Sequence, residues 1–203
     1  MTRRMAGASA FALLFAASFA VAQAPDVVRV RGTIESVNGP VLSVKSRDGT
    51  TLNVKLADNA TVRTVVKKTV ADVKQGMFVG ITAMPQPDGT QKAVEIHIFP
   101  EAARGTGEGH RPWDLMPNST MTNASVDTEV ASADGKDLVL KYKDGEKKFI
   151  VPANIEVVMF APGSTADLKP GEKIFIVAAK KLPDGTLEAP AITVGSNGVN
   201  PPM

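Results

Sequence analysis

The sequence contains no cysteine, and among its 203 residues it has one tryptophan, one tyrosine and two histidines. The missing cysteines remove disulfides, thiolate metal centres and a cysteine nucleophile together, so packing alone must hold any core. Charge of one sign is missing too. Lys and Arg total 23 against 21 Asp and Glu; Arg3 and Arg4 lie at the extreme N-terminus, and without them the balance is 21 against 21. A strongly electrostatic partner such as nucleic acid is not indicated. Beyond the first 22 residues no long apolar run occurs, hence no later segment reads as a membrane span.

The start of the chain has the pattern of an export leader. Arg3 and Arg4 precede an apolar stretch from Met5 to Val21, and Ala20-Val21-Ala22 fits a small-x-small cleavage site, which assigns residues 1–22 to a signal peptide and Gln23 to the mature N-terminus. No cysteine follows for lipid attachment. The expected location is periplasmic or secreted.

The body of the chain is organised by repetition. Asn38-Gly39 and Asp48-Gly49 recur as Asp134-Gly135 and Asp144-Gly145, 96 residues later; LADNATV at 56–62 and ADVKQG at 71–76 return 95 residues later as VPANIEV and ADLKPG; PDGT at 87–90 returns at 183–186. Landmarks kept in order point to an internal duplication. Within each copy, β-branched alternation between turn dipeptides marks strands. Val28, Val30 and Ile34 share a phase that Val37 breaks, with Gly32 between them, as a bulged or coiled strand requires. Leu42 with Val44, and Leu52 with Val54 and Leu56, predict the next two core faces, repeated by Leu138, Leu140, Phe149 and Val151. An extended piece spans Thr61 to Val66. Val70 and Val73, followed by Gly76, predict a short helical turn; Val79, Ile81 and Ala83, then Ile96 and Ile98, predict two more strands.

Three strands, a short helix and two strands make the element order of an OB-like five-stranded barrel. The expected fold class is therefore mainly β, with two tandem OB-like barrels: 27–99 as the first domain, 100–124 as a Gly/Pro-containing linker, 125–195 as the second domain and 196–203 as a turn-rich mobile tail. The pattern GTIESV, the DG-turned hairpin, ADVKQGMFVGI and DGTQKAVEIHI, answered by DGEKKF, ADLKPGEKIFIV and DGTLEAPAITV, resembles an exported bacterial family of OB-like β-barrel domains of unknown function. The resemblance implies a periplasmic, non-enzymatic barrel and brings no functional residues. SVDTEVASA, the first strand of the second copy, lacks the glycine of its counterpart.

Rare residues concentrate in GEGHRPWDLMPNSTMTNAS at 107–125, which has no counterpart in the repeat. Arg111, Trp113 and Asp114 are candidate ligand contacts in a cleft between barrels, since small-molecule sites favour domain interfaces. The plainer reading makes Trp113 and Leu115 a packing latch stiffened by Pro112 and Pro117. His110, Met116 and Met121 are an alternative metal set, because thioethers suit Cu(I). His97 shares a strand face with Glu95, which is too few ligands for zinc, and alternation predicts that it is exposed. No G-x-S-x-G elbow occurs, GTGEG at 105–109 lacks the lysine of a phosphate loop, and the basic run KYKDGEKK reads as a solvated hairpin tip. These observations predict a binding or structural accessory protein, not an enzyme, with no cofactor and with a small molecule or an envelope protein as partner. A metal-binding or metal-transport-associated protein is the alternative.

Overall fold

The computed structural model describes residues 26–132 and 135–202; the leader with its cleavage site, and Asp134 of the second turn landmark, lie outside the described residues. The chain is mainly β, as its alternation predicts. Its strands run β1 (Val27–Asn38), β2 (Val41–Ser46), β3 (Thr51–Lys68), β4 (Phe78–Pro85), β5 (Gln91–Ile98), β6 (Gly109–Pro112), β7 (Thr120–Ser132), β8 (Gly135–Tyr142), β9 (Gly145–Pro152), β10 (Glu156–Pro162), β11 (Lys173–Lys181) and β12 (Leu187–Val194). Among the described residues no helix is long and apolar enough to cross a membrane.

The strand order β12-β11-β1-β2-β3 closes on itself because β12 also pairs with β3, giving a five-stranded barrel. Inside it lie Ile34, Leu42, Val44, Val54, Ile174, Ile176 and Ile192. The strands β5, β4, β7, β8 and β9 form a second ring of pairings, joined by β5 to β9, around Ile81, Ile96, Leu138, Leu140 and Phe149. Each ring thus takes strands from both segments, 27–99 and 125–195, so these segments do not delimit the units that close. The reason is the length of β3. The expected third strand and the extended piece at 61–66 are one 18-residue strand, about 60 Å at about 3.3 Å per residue, too long to turn back within one ring. Its first part pairs with β2 and β12; its end, Arg63 to Lys68, pairs with β10 and carries the chain into the other ring.

The turn at Val70–Asp72 follows the same crossing. Val70 and Val73 are buried in the second ring, whereas Leu168, after the matching turn at Thr165–Asp167, is buried in the first. Both turns start alike: Asp72 Oδ2 accepts from the Thr69 amide at 2.8 Å, and Asp167 Oδ2 from the Ser164 amide at 2.7 Å.

Three further expectations change. Segment 100–124 is no simple tether, since β6 pairs with the first residues of β7 and makes a hairpin on the second ring. The C-terminal tail is folded, with a bridge between Ser196 and Val199 and with Pro201 and Pro202 buried. The first turn landmark is also displaced. Val44 faces Ile34 and Leu140 faces Val126, while two extra pairs, Ala131 with Lys136 and Ser132 with Gly135, lengthen the second hairpin. That puts Ala124 at the register position that Gly32 holds in the β1–β2 hairpin.

Candidate functional site

The rings meet along β3 and β10, and the junction encloses a cavity of about 230 Å³. Its floor on the second ring comes from three adjacent strands. Gly80 of β4 pairs with His97 of β5 on one side and with Asn123 of β7 on the other, so these residues share the face opposite the core. Glycine is required at the middle position: a Cβ there would collide with the His97 ring and approach Asn123 Oδ1 to 2.7 Å.

His97 is therefore buried, at 6% exposure, and not exposed as alternation predicts. A register shift between Thr82 and Ala83 moves Val94 out of the core series, and the outer face of β5 is then covered from outside. Phe99 and Phe160 pack on the imidazole with ring centroids at 4.8 and 5.1 Å. Burial first, and the charge of Arg111 second, hold its pKa down to about 3, which keeps the ring neutral. Among the described residues His97 Nδ1 and Asn123 Oδ1 find no hydrogen-bond partner, although Asn123 Nδ2 donates to Thr106 O at 3.0 Å. Glu95, on the same strand face, accepts from Thr82 Oγ1 at 2.9 Å.

The opposite wall belongs to the first ring. Phe175 of β11 pairs with Arg31 of β1 and with Thr193 of β12, the same three-strand arrangement as Gly80 with Asn123 and His97. Phe175 and Thr193 line the cavity. The hairpin closes its side: Trp113 meets Phe175 edge-on at 6.3 Å, with the Arg29 guanidinium 4.3 Å from its ring centroid and that of Arg111 at 5.7 Å. Asp114 Oδ1 accepts from Arg31 Nη2 at 2.7 Å, and Asp114 Oδ2 lies 3.2 Å from Arg29 Nη1. Burial alone would raise the Asp114 carboxyl; Arg31, then Arg29, outweigh it and hold the group below its ordinary value. Arg111 Nη1 donates to Gly107 O at 2.7 Å, at a glycine whose φ of 57° is left-handed.

Of the sequence candidates, Arg111 and Trp113 line the cavity together, while Asp114 sits behind them and fixes the two arginines of β1. Trp113 is also packed as the plainer reading expects, for it is 9% exposed and its tip loop is set by Ser119, whose hydroxyl donates to Trp113 O at 3.1 Å or to Met116 O at 2.8 Å. The alternative metal set does not converge. His110 faces Thr122 across the hairpin and Met121 faces Arg111 one pair along, so the histidine and this methionine point to opposite sides. His110 is satisfied by Thr122 Oγ1 at 2.7 Å, and burial, then Lys147 and Arg111, lower its pKa. No group of three His, Cys, Asp or Glu able to hold a metal occurs among the described residues.

The sequence patterns did not single out Gly80, Asn123, Arg29 or Arg63, and they placed His97 on an exposed face. One signal was available, the glycine inside the strand pattern FVGI, which marks a close approach. A larger neighbouring cavity of about 540 Å³ shares Arg63, Phe99, Thr106 and Phe160 with this one. Compared with protein-family models, with curated proteins and with solved structures, the chain matches none of them.

Proposed function

We propose that this chain is an exported, non-enzymatic binding module of the cell envelope, made of two OB-like barrels with a ligand cleft between them. The observation that carries the reading is one cavity in which two buried polar groups without partners among the described residues, on His97 and Asn123, meet the rings of Phe99, Trp113, Phe160 and Phe175. Apolar walls with few convergent polar groups are what small-molecule sites use. A histidine held near pKa 3 exchanges few protons at neutral pH, which suits a fixed hydrogen-bonding surface better than a general base.

The barrels are read as the products of the duplication with their halves exchanged. Val65 pairs with Phe160, 95 residues further on, the offset that relates the two copies. Val62 pairs with Ile192 and Val157 with Ile96, so each copy's third strand meets the last strand of the other in the same register. Such reciprocity is expected of an isologous interface. The cleft lies near this pseudo-twofold, at positions where the two segments carry different residues: Gly80, His97 and Asn123 stand against Phe175, Thr193 and Arg31. N-terminal sequencing of protein from an envelope fraction should begin at Gln23. Adding small-fragment mixtures to labelled protein should move the Trp113 indole and His97 ring resonances selectively; shifts confined to other surfaces would refute the cleft.

A further inference from the structure

The charge around the cleft specifies more than an apolar ligand. Arg29, Arg63 and Arg111 line it, and Arg31 lies behind, its guanidinium 4.6 Å from the Phe175 ring centroid. Among the described residues, two carboxylates stand against these four arginines. Asp114 holds Arg29 and Arg31, and the buried Glu95 lies on the face shared with Thr82. Even with both ionised, the described residues leave positive charge in excess. Arg63 has no carboxylate, carbonyl or ring partner among the described residues, and Arg111 has only the Gly107 carbonyl and the Trp113 face, which leaves further N–H groups of its fork open. The remaining walls are the rings already described.

We propose that the cleft binds a small aromatic carboxylate, its ring between Phe99, Phe160, Trp113 and Phe175 and its carboxylate received by Arg63 and Arg111. A guanidinium fork matches a carboxylate in two parallel hydrogen bonds, and buried aromatic edges and faces select a flat ring. The space equals about eight waters at about 30 Å³ each, suited to an acid of one ring or two fused rings. His97, neutral and partnerless at Nδ1, and Asn123, partnerless at Oδ1, complete the polar contacts for a ring substituent that can donate. Phosphate alone would leave the rings unused, and a neutral ring would leave the excess charge uncompensated.

This inference rests on the cleft being a binding site, and the test separates the two claims. Benzoate, 2-naphthoate, benzyl alcohol and inorganic phosphate are titrated into the full mature chain, read by calorimetry and by the Trp113 indole and His97 ring signals. The expected result is that the carboxylates bind and shift both signals, that benzyl alcohol and phosphate bind at least about tenfold more weakly, and that Arg63→Gln weakens the acids by about tenfold. Arg63 is exposed, so this variant should keep its melting temperature, and Arg63→Glu should abolish binding of the acids in a folded protein. Equal binding of the alcohol or of phosphate at these signals overturns the ligand class and leaves the cleft standing. Acids that bind with affinity unchanged by Arg63→Glu also overturn it. Silence of both signals towards all four probes and the fragment mixtures removes the cleft as well.

Discussion

Replacing Trp113 with alanine tests whether the hairpin fastens the two rings. The indole is 9% exposed, sits edge-on to Phe175 at 6.3 Å and carries the Arg29 guanidinium at 4.3 Å. Truncating a buried tryptophan costs about 3–5 kcal/mol. About 0.5–1.5 kcal/mol of that belongs to the Phe175 pair, and about 0.5–1 kcal/mol to each stacked guanidinium at a partly exposed site. Because the ring borders an existing cavity and not a closed core, the lower end applies, about 3 kcal/mol. For a chain of this size that is a fall in melting temperature of about 6–12 °C. The assay is urea unfolding followed by far-UV circular dichroism, because the variant has no tryptophan to report by fluorescence. Trp113→Phe should lose less than half as much, and a double-mutant cycle with Phe175→Leu should return a coupling near 1 kcal/mol. A loss below about 1 kcal/mol for Trp113→Ala would refute the latch, since surface changes reach that range.

Acid should destabilise the protein through His97. Its folded pKa of about 3 lies below the ordinary 6.5, so the unfolded chain binds the extra proton; stability is full above about 6.5 and declines toward 3 at about 1.4 kcal/mol per pH unit. His97→Phe should flatten that part of the profile, and an unchanged slope would mean the imidazole is not buried. Gly80→Ala drives a Cβ into the His97 ring and should cost about 1–3 kcal/mol while displacing the His97 resonances; a neutral effect would contradict the close approach. Segments 27–99 and 125–195, expressed apart, should each lack cooperative unfolding as monomers and regain it when mixed, as judged by circular dichroism and sedimentation. Two independently folded monomers would exclude the crossed pairing of β3, β4, β11 and β12.

The legible part of the fold was local. Alternation placed Leu42, Val44, Val54, Leu138, Leu140 and Phe149 inward, and the spacing of Val70 and Val73 marked the helical turn. Arg111 and Trp113 stood out because they are rare residues in a segment outside the repeat. His97 was misplaced because alternation reports only the face turned from the core and not what covers that face. Phe99 follows two residues along on the same face, whereas Phe160 lies on a distant stretch and reaches the imidazole only through the pairing of β10 with β3 and β5.

By itself the sequence determined most of the strands, several tight turns and most residues of the two cores, because these follow from a period of two and from turn chemistry within a few residues. Which strands close which ring was decided only in three dimensions. Strands of similar alternation present similar edges, so β4 and β5 could pair with neighbouring or with distant strands, and the uninterrupted 18-residue run of β3 carries them to the distant ones. The cavity follows from those pairings, which bring His97 and Asn123 of one ring together with Phe175 and Thr193 of the other.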